Sequence, residues 1–125
     1  MHNSVSNAEY ILPSGAARSP DASWVERSRL DALTKEQKRK FLRLCPDFVV
    51  ELTSPADRLK PMQAKMEEWM ANGAKLGWLL DADTRTAYVY HPAKDPERLE
   101  SPERLTGEGP VEGFVLELEE IWTGL

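Results

Sequence analysis

The stretch "CPDFVVELTSP", residues 45–55, sets a glutamate inside an apolar run. Phe and Val favour a pleated, packed setting, and Pro46 and Pro55 bracket the span, so "PDFVVELT" is expected to be a strand. Glu51 is the anomaly. Burying an ionised carboxylate costs several kcal/mol unless a cation, a metal or hydrogen bonds compensate. Glu51 therefore lies at the rim of the core or is held inside it for chemistry. Side chains alternate along a strand, so Asp47, Val49, Glu51 and Thr53 share one face and Phe48, Val50 and Leu52 the other. Asp47 and Glu51 then stand about 13 Å apart. That is too far for the two to grip one metal ion, so a metal partner for Glu51 must come from another element.

The rest of the chain frames this strand. "LPSGAARSPDASWVE" reads as a turn followed by a short strand near Ala22–Val25. "LTKEQKRKFLRL" has helical spacing at Leu33, Phe41 and Leu44 with a polar middle, which fits a short helix or an ordered surface loop. After Pro55, Leu59, Met62, Met66, Trp69 and Met70 follow the i, i+3, i+4, i+7 pattern of an amphipathic helix. Pro61 suits its first turn, and Asn72-Gly73 its end. "KLGWLLD", the turn "ADT" and "RTAYVYH" make a hairpin that Pro92 closes. Residues 93–113 are punctuated by Pro96, Pro102, Gly107, Gly109 and Pro110 and read as loops. "FVLELEEIWTGL" reads as a short strand running into a helical turn. The order strand, helix, strand, strand, behind one small strand, predicts an α/β fold: a mixed β-sheet with an amphipathic helix packed on one face.

A chain of 125 residues, 41% hydrophobic and 30% charged, fits one small soluble domain. No apolar run approaches the roughly 20 residues that cross a bilayer. The opening "MHNSVSNAEY" lacks the basic start and apolar stretch of a signal peptide, and a cytoplasmic location is expected. Cys45 is the only cysteine, which excludes an internal disulfide and a Cys-based zinc site. The net charge of −5 is not the footprint of a non-specific DNA coat protein. The charge is unevenly spread. Residues 26–44 carry seven basic and three acidic side chains, while residues 95–125 carry two basic and nine acidic ones. The basic segment suits either phosphate contacts or a solvated helix face.

Asp21 in "SPDASW" is the best second carboxylate for Glu51. It stands at the mouth of a probable strand, although "PD" in that place is also ordinary turn chemistry. Two converging carboxylates suit Mg²⁺, a hard ion that prefers oxygen and keeps several waters. Such an ion lowers the pKa of bound water and neutralises phosphate charge, and a nearby lysine would orient the water or stabilise the transition state. Lys65 lies at the edge of the helix's apolar stripe, beside Met62 and Trp69, whereas Lys60 points further out. Border lysines also commonly snorkel to water. His2 and His91 are isolated. Asp81 and Asp83 flank the hairpin turn and serve it. Trp69, Trp78 and Trp122 are read as core aromatics. Ser54 has no histidine beside it in sequence and suits a helix cap.

The pieces "RSPDASWV", "PDFVVELTS", "QAKMEEW", "NGAKLGWLLD" and "VEGFVLEL" together resemble the Uma2 (DUF820) family of restriction-endonuclease-like proteins, over roughly residues 10–122. The resemblance implies a restriction endonuclease-like core of the PD-(D/E)XK nuclease superfamily. It implies that Asp21 and Glu51 bind Mg²⁺, or Mn²⁺, that Lys65 is the third catalytic residue, and that DNA phosphodiester bonds are hydrolysed. The superfamily usually sets a lysine two residues beyond the second acid. Here that position is Thr53, and the lysine has migrated to the following helix. Family members usually carry a further N-terminal segment, so residues 1–125 are expected to be a single domain without it. A homodimer is expected by analogy. The alternative is an inactive, shortened nuclease-fold module that binds DNA or a protein partner without cleaving, or a remnant that binds no metal.

Overall fold

The computed structural model describes residues 2–5, 9–38, 41–53 and 57–124, without the side chains of residues 2–5 and 37–38. Arg39, Lys40, Ser54 and Pro55 lie outside the described residues, as does the side chain of His2, so the expectations placed on them are not addressed.

Six strands form the central sheet. They are β1 (His2–Val5), β4 (Ala22–Glu26), β5 (Phe48–Thr53), β6 (Leu76–Asp81), β7 (Thr86–Tyr90) and β8 (Glu97–Glu100), in the order β1-β4-β5-β6-β7-β8. Only β5 and β6 run parallel; all other neighbours are antiparallel. A parallel pair needs a crossover, and the amphipathic segment supplies it as helix α3 (Leu59–Ala71), with Pro61 in its first turn. The helix stops at Asn72, whose side-chain amide donates to the Glu68 carbonyl at 2.9 Å, and Gly73 follows at φ +116°. That backbone is strained for any residue bearing a Cβ, so glycine ends the helix where the sequence places the stop.

Two small hairpins complete the fold: β2 (Tyr10–Ile11) with β3 (Ala17–Arg18), and β9 (Arg104–Thr106) with β10 (Val115–Glu117). Two helices follow β4: α1 (Arg27–Asp31) and the single turn α2 (Lys35–Lys38). The chain ends in α4 (Glu119–Thr123).

The core lies in two layers, one on each face of the sheet. On one face Val25, Val49 and Leu79 pack against Met66 and Trp69 of α3 and against Tyr10 and Leu12. On the other, Phe48, Val50, Trp78 and Leu80 are covered by Leu105, Val111, Leu118 and Trp122. Residues 93–113 are thus more than loop. They contribute the edge strand β8 and the inner strand of the β9–β10 hairpin, which covers the second face.

Candidate functional site

The pairing of β4 with β5 builds the site. Ala22 stands opposite Val50, so Asp21, one residue before β4, falls beside Glu51 and Leu52. Two reciprocal hydrogen bonds fix the junction. The Asp21 N–H donates to Glu51 Oε1 at 3.2 Å, and the Leu52 N–H donates to Asp21 Oδ2 at 2.7 Å.

Glu51 is only 1% exposed. Helix α3 resolves its burial. Lys65 Nζ lies 2.9 Å from Glu51 Oε2, and the indole Nε1–H of Trp69 donates to the same oxygen at 3.0 Å. Lys65 and Trp69 are four residues apart, hence neighbours on one helix face. The structure brings Asp21, Glu51 and Lys65 together, as the residues predict. It adds Trp69, which the apolar pattern marks only as core. The i, i+4 relation to Lys65 was the available signal.

Asp21 is exposed and Lys65 is 29% exposed, so the group opens to solvent with Glu51 at its floor. Lys65 pairs with Glu51, and Asp21 joins Glu51 through its backbone N–H while its own Oδ2 accepts the Leu52 N–H. The three side chains carry one net negative charge, which favours a cation. Among the described residues Glu51 Oε1 receives one donor, the Asp21 N–H. An all-oxygen set of two carboxylates fits Mg²⁺ or Mn²⁺, which would keep waters at its remaining positions. Among the described residues no three of His, Cys, Asp and Glu gather into a complete cage.

Thr53 donates to Asp81 Oδ1 at 3.1 Å. Asp81 also accepts the Asp83 N–H at 3.1 Å and the Thr84 hydroxyl at 3.0 Å. The Asp81 carboxylate thus serves the hairpin turn, as expected, while Asp83 takes part through its backbone N–H. His91 pairs with Glu108 at 3.2 Å. Burial pushes the Cys45 thiol up to about 12, which keeps it protonated and non-nucleophilic at neutral pH.

A second carboxylate on the same face of β5 is also buried. Asp47, 1% exposed, accepts the Glu26 N–H at 2.9 Å and pairs with Arg29 at 2.9 Å and Lys75 at 3.6 Å. Arg29 also donates to the Cys45 carbonyl at 2.8 Å. Helix α1 therefore begins at the Asp47 end of β5, about 13 Å along the strand from Glu51. Arg29 is committed there rather than offered to phosphates.

A family model described as "Putative restriction endonuclease", Uma2, matches residues 3–119. No curated protein matches. Among solved structures, the chain is similar to the crystal structure of a "putative nuclease belonging to DUF820" from Anabaena variabilis. Identity is 20%, the match covers 98% of this chain and 68% of that one, and the TM-score is 0.80. At that identity the likeness shows the fold, which is nuclease-like. A slighter similarity links it to the DrdV–DNA complex, with 13% identity, 80% of this chain and 8% of that one covered, and a TM-score of 0.46.

Proposed function

The chain belongs to the Uma2 family, and from that premise we propose that it is a metal-dependent endonuclease that hydrolyses DNA phosphodiester bonds. One observation carries the reading: the buried Glu51 carboxylate accepts the Asp21 N–H on one oxygen and pairs with Lys65 on the other, so three residues distant in sequence converge on it. Asp21 and Glu51 would hold Mg²⁺ or Mn²⁺. When bound, that ion neutralises charge on the scissile phosphate and lowers the pKa of a water.

The chain's own residues do the rest. Trp69 and Lys65 fix Glu51 Oε2, and Leu52 fixes Asp21 Oδ2, so the carboxylates are oriented before substrate arrives. Lys65 Nζ orients the attacking water or stabilises the negative charge that grows on the phosphate. Its position on α3 supports the view that the lysine is supplied from the helix, since Thr53 is engaged with Asp81. Among the described residues no helix is long and apolar enough to cross a membrane, which accords with a cytoplasmic enzyme acting on DNA. A homodimer belongs to the proposal by analogy alone.

A binding-only module is the second reading, favoured by the net charge of −5. A plasmid-nicking assay in Mg²⁺ and in Mn²⁺, run beside Glu51→Ala at matched purity, separates the two. Metal-dependent nicking that disappears in the variant is the expected result. A folded chain that nicks with neither metal overturns the enzyme reading and leaves the inactive alternatives, the binding-only module or the remnant.

A further inference from the structure

The sheet face opposite α3 is incompletely covered. A groove of about 630 Å³ runs between it and the C-terminal segment. Phe48, Val50 and Leu80 make its floor, Phe114 and Leu116 its wall, and Leu52 its mouth. Leu52 is 38% exposed and Phe114 44%, and Val115 beside it is 47% exposed. Phe114 is nonetheless held in place. Its ring stacks on Trp78 with centroids 6.0 Å apart and planes 17° from parallel, and it meets Phe48 edge-on at 6.4 Å.

The charge around this groove decides what fits it. Glu112 lines it, and Glu119 and Glu120, both exposed, precede the lining residue Ile121. Asp21 is exposed beside the lining residue Ala22. None of the described lining residues is basic. Arg98 and Arg104, the two basic residues in 95–125, are engaged by Glu100 and by Glu117. Nucleic acid is therefore repelled from this face. A second copy packed about a two-fold axis would set this acidic face against the same acidic face of its partner, which like charge opposes. An extended strand would lay unsatisfied backbone groups over an apolar floor, whereas a helix satisfies its own.

We propose that this groove docks a basic amphipathic helix of another polypeptide, with apolar side chains on Phe48 and Phe114 and Lys or Arg toward Glu112, Glu119 and Glu120. The mode is helix-in-groove recognition with a charged rim that selects the partner. Glu51 and Lys65 of the nuclease site lie on the opposite, α3 face, and Asp21 alone of the three stands at the groove's edge, beside Ala22 and Leu52.

The test uses fluorescein-labelled, helix-forming 18-residue peptides of Leu and Lys, and of Leu and Glu in the same pattern, titrated with the full chain and read by anisotropy. The Leu/Lys peptide should bind and the Leu/Glu peptide should not. Reversal of the rim in Glu112→Lys/Glu119→Lys/Glu120→Lys should weaken binding at least about tenfold. Reversal elsewhere, in Asp95→Lys/Glu97→Lys, should change it less than about twofold. Phe114→Ser, at an exposed position, checks the apolar contribution and should also weaken binding. Equal loss in the two charge-reversed proteins would mean undirected attraction and overturn the proposal. So would absence of binding, or a dimer in sedimentation velocity that Phe114→Ser dissolves, which would make a second copy the occupant.

Discussion

Glu51 Oε2 carries two donors from one helix face, and this sharing makes the residues around it interdependent. Lys65→Met strips the compensating charge from a carboxylate that is 1% exposed. Its expected cost is about 1–3 kcal/mol, below that of a fully buried pair because Lys65 is 29% exposed. In a Glu51→Gln background no charge is left to strand, and the same lysine substitution should cost less than about 0.5 kcal/mol. Urea unfolding of the four proteins measures the coupling. Equal costs in the two backgrounds would mean that the pair does not compensate the buried carboxylate. This logic also explains what was legible at this scale. A glutamate in an apolar run is an energetic contradiction visible in one dimension, and it directs the search to Asp21 and Lys65. Trp69 was not legible as a donor. Hydropathy records the indole as apolar, and its N–H has meaning only once Glu51 is placed beneath it. Asp47 was legible on the Glu51 face of the strand, but its cations were not, because Arg29 comes from α1 and Lys75 from the residue before β6.

Elements anchor β5 at both ends, and the two anchors differ in kind. At the Asp47 end, Arg29→Met leaves a buried carboxylate with only the longer Lys75 contact and the Glu26 N–H. A loss of about 2–4 kcal/mol is expected. Asp47→Asn keeps an acceptor for Glu26 and lets both cations return to water, so about 1 kcal/mol is expected. Thermal unfolding should rank the two variants in that order. The contact of α3 with β6 rests on Gly77. A Cβ there would lie 2.6 Å from Met66 Cε, 3.0 Å from Met70 Cε and 3.3 Å from Val49 Cγ2. The two methionine ends can swing aside, but Val49 is held in the sheet. Gly77→Ala should cost about 1–2 kcal/mol and Gly77→Val considerably more, read by urea unfolding. Elements with a strong period were legible: α3 by its apolar stripe, β5 by its proline brackets, β6–β7 by their alternation. Strand β8 was not. Its sequence "ERLE" is largely exposed at a sheet edge, where no buried face imposes a pattern. Helix α4, five residues long, was legible as the helical turn after a short strand, and it depends on tertiary contacts such as the Trp122 indole N–H donating to the Pro102 carbonyl at 2.9 Å.

At the scale of the whole molecule, the α3 layer shapes the response to pH. Tyr10, Cys45 and Tyr90 all lie in that layer. Burial pushes each of them up to about 12, from ordinary values of 10.0, 9.0 and 10.0 respectively. For Tyr10 the hydroxyl bond to Ser23, 2.7 Å long, opposes the shift without cancelling it. Each group is thus neutral in the folded chain at a pH where the unfolded chain has released its proton. The sign follows directly. Below about pH 8 both states hold these protons and their contribution to stability is flat, while from about pH 8 toward 12 the unfolded chain gains by ionising, Cys45 first, and stability falls. The melting temperature, followed by circular dichroism, should therefore show no decline from these groups up to about pH 8 and decline above it. Tyr90→Phe removes one titrating hydroxyl and keeps the ring, so its decline above pH 10 should be shallower than that of the parent chain. Cys45 should resist thiol reagents at pH 8 in the folded protein and react rapidly in urea. Because Met66 and Trp69 belong to the same layer, alkaline unfolding removes the support beneath Glu51. The proposed cation site should disappear along the same pH curve as the fold, and a site lost well before the fold would mean that the α3 layer is not what holds it.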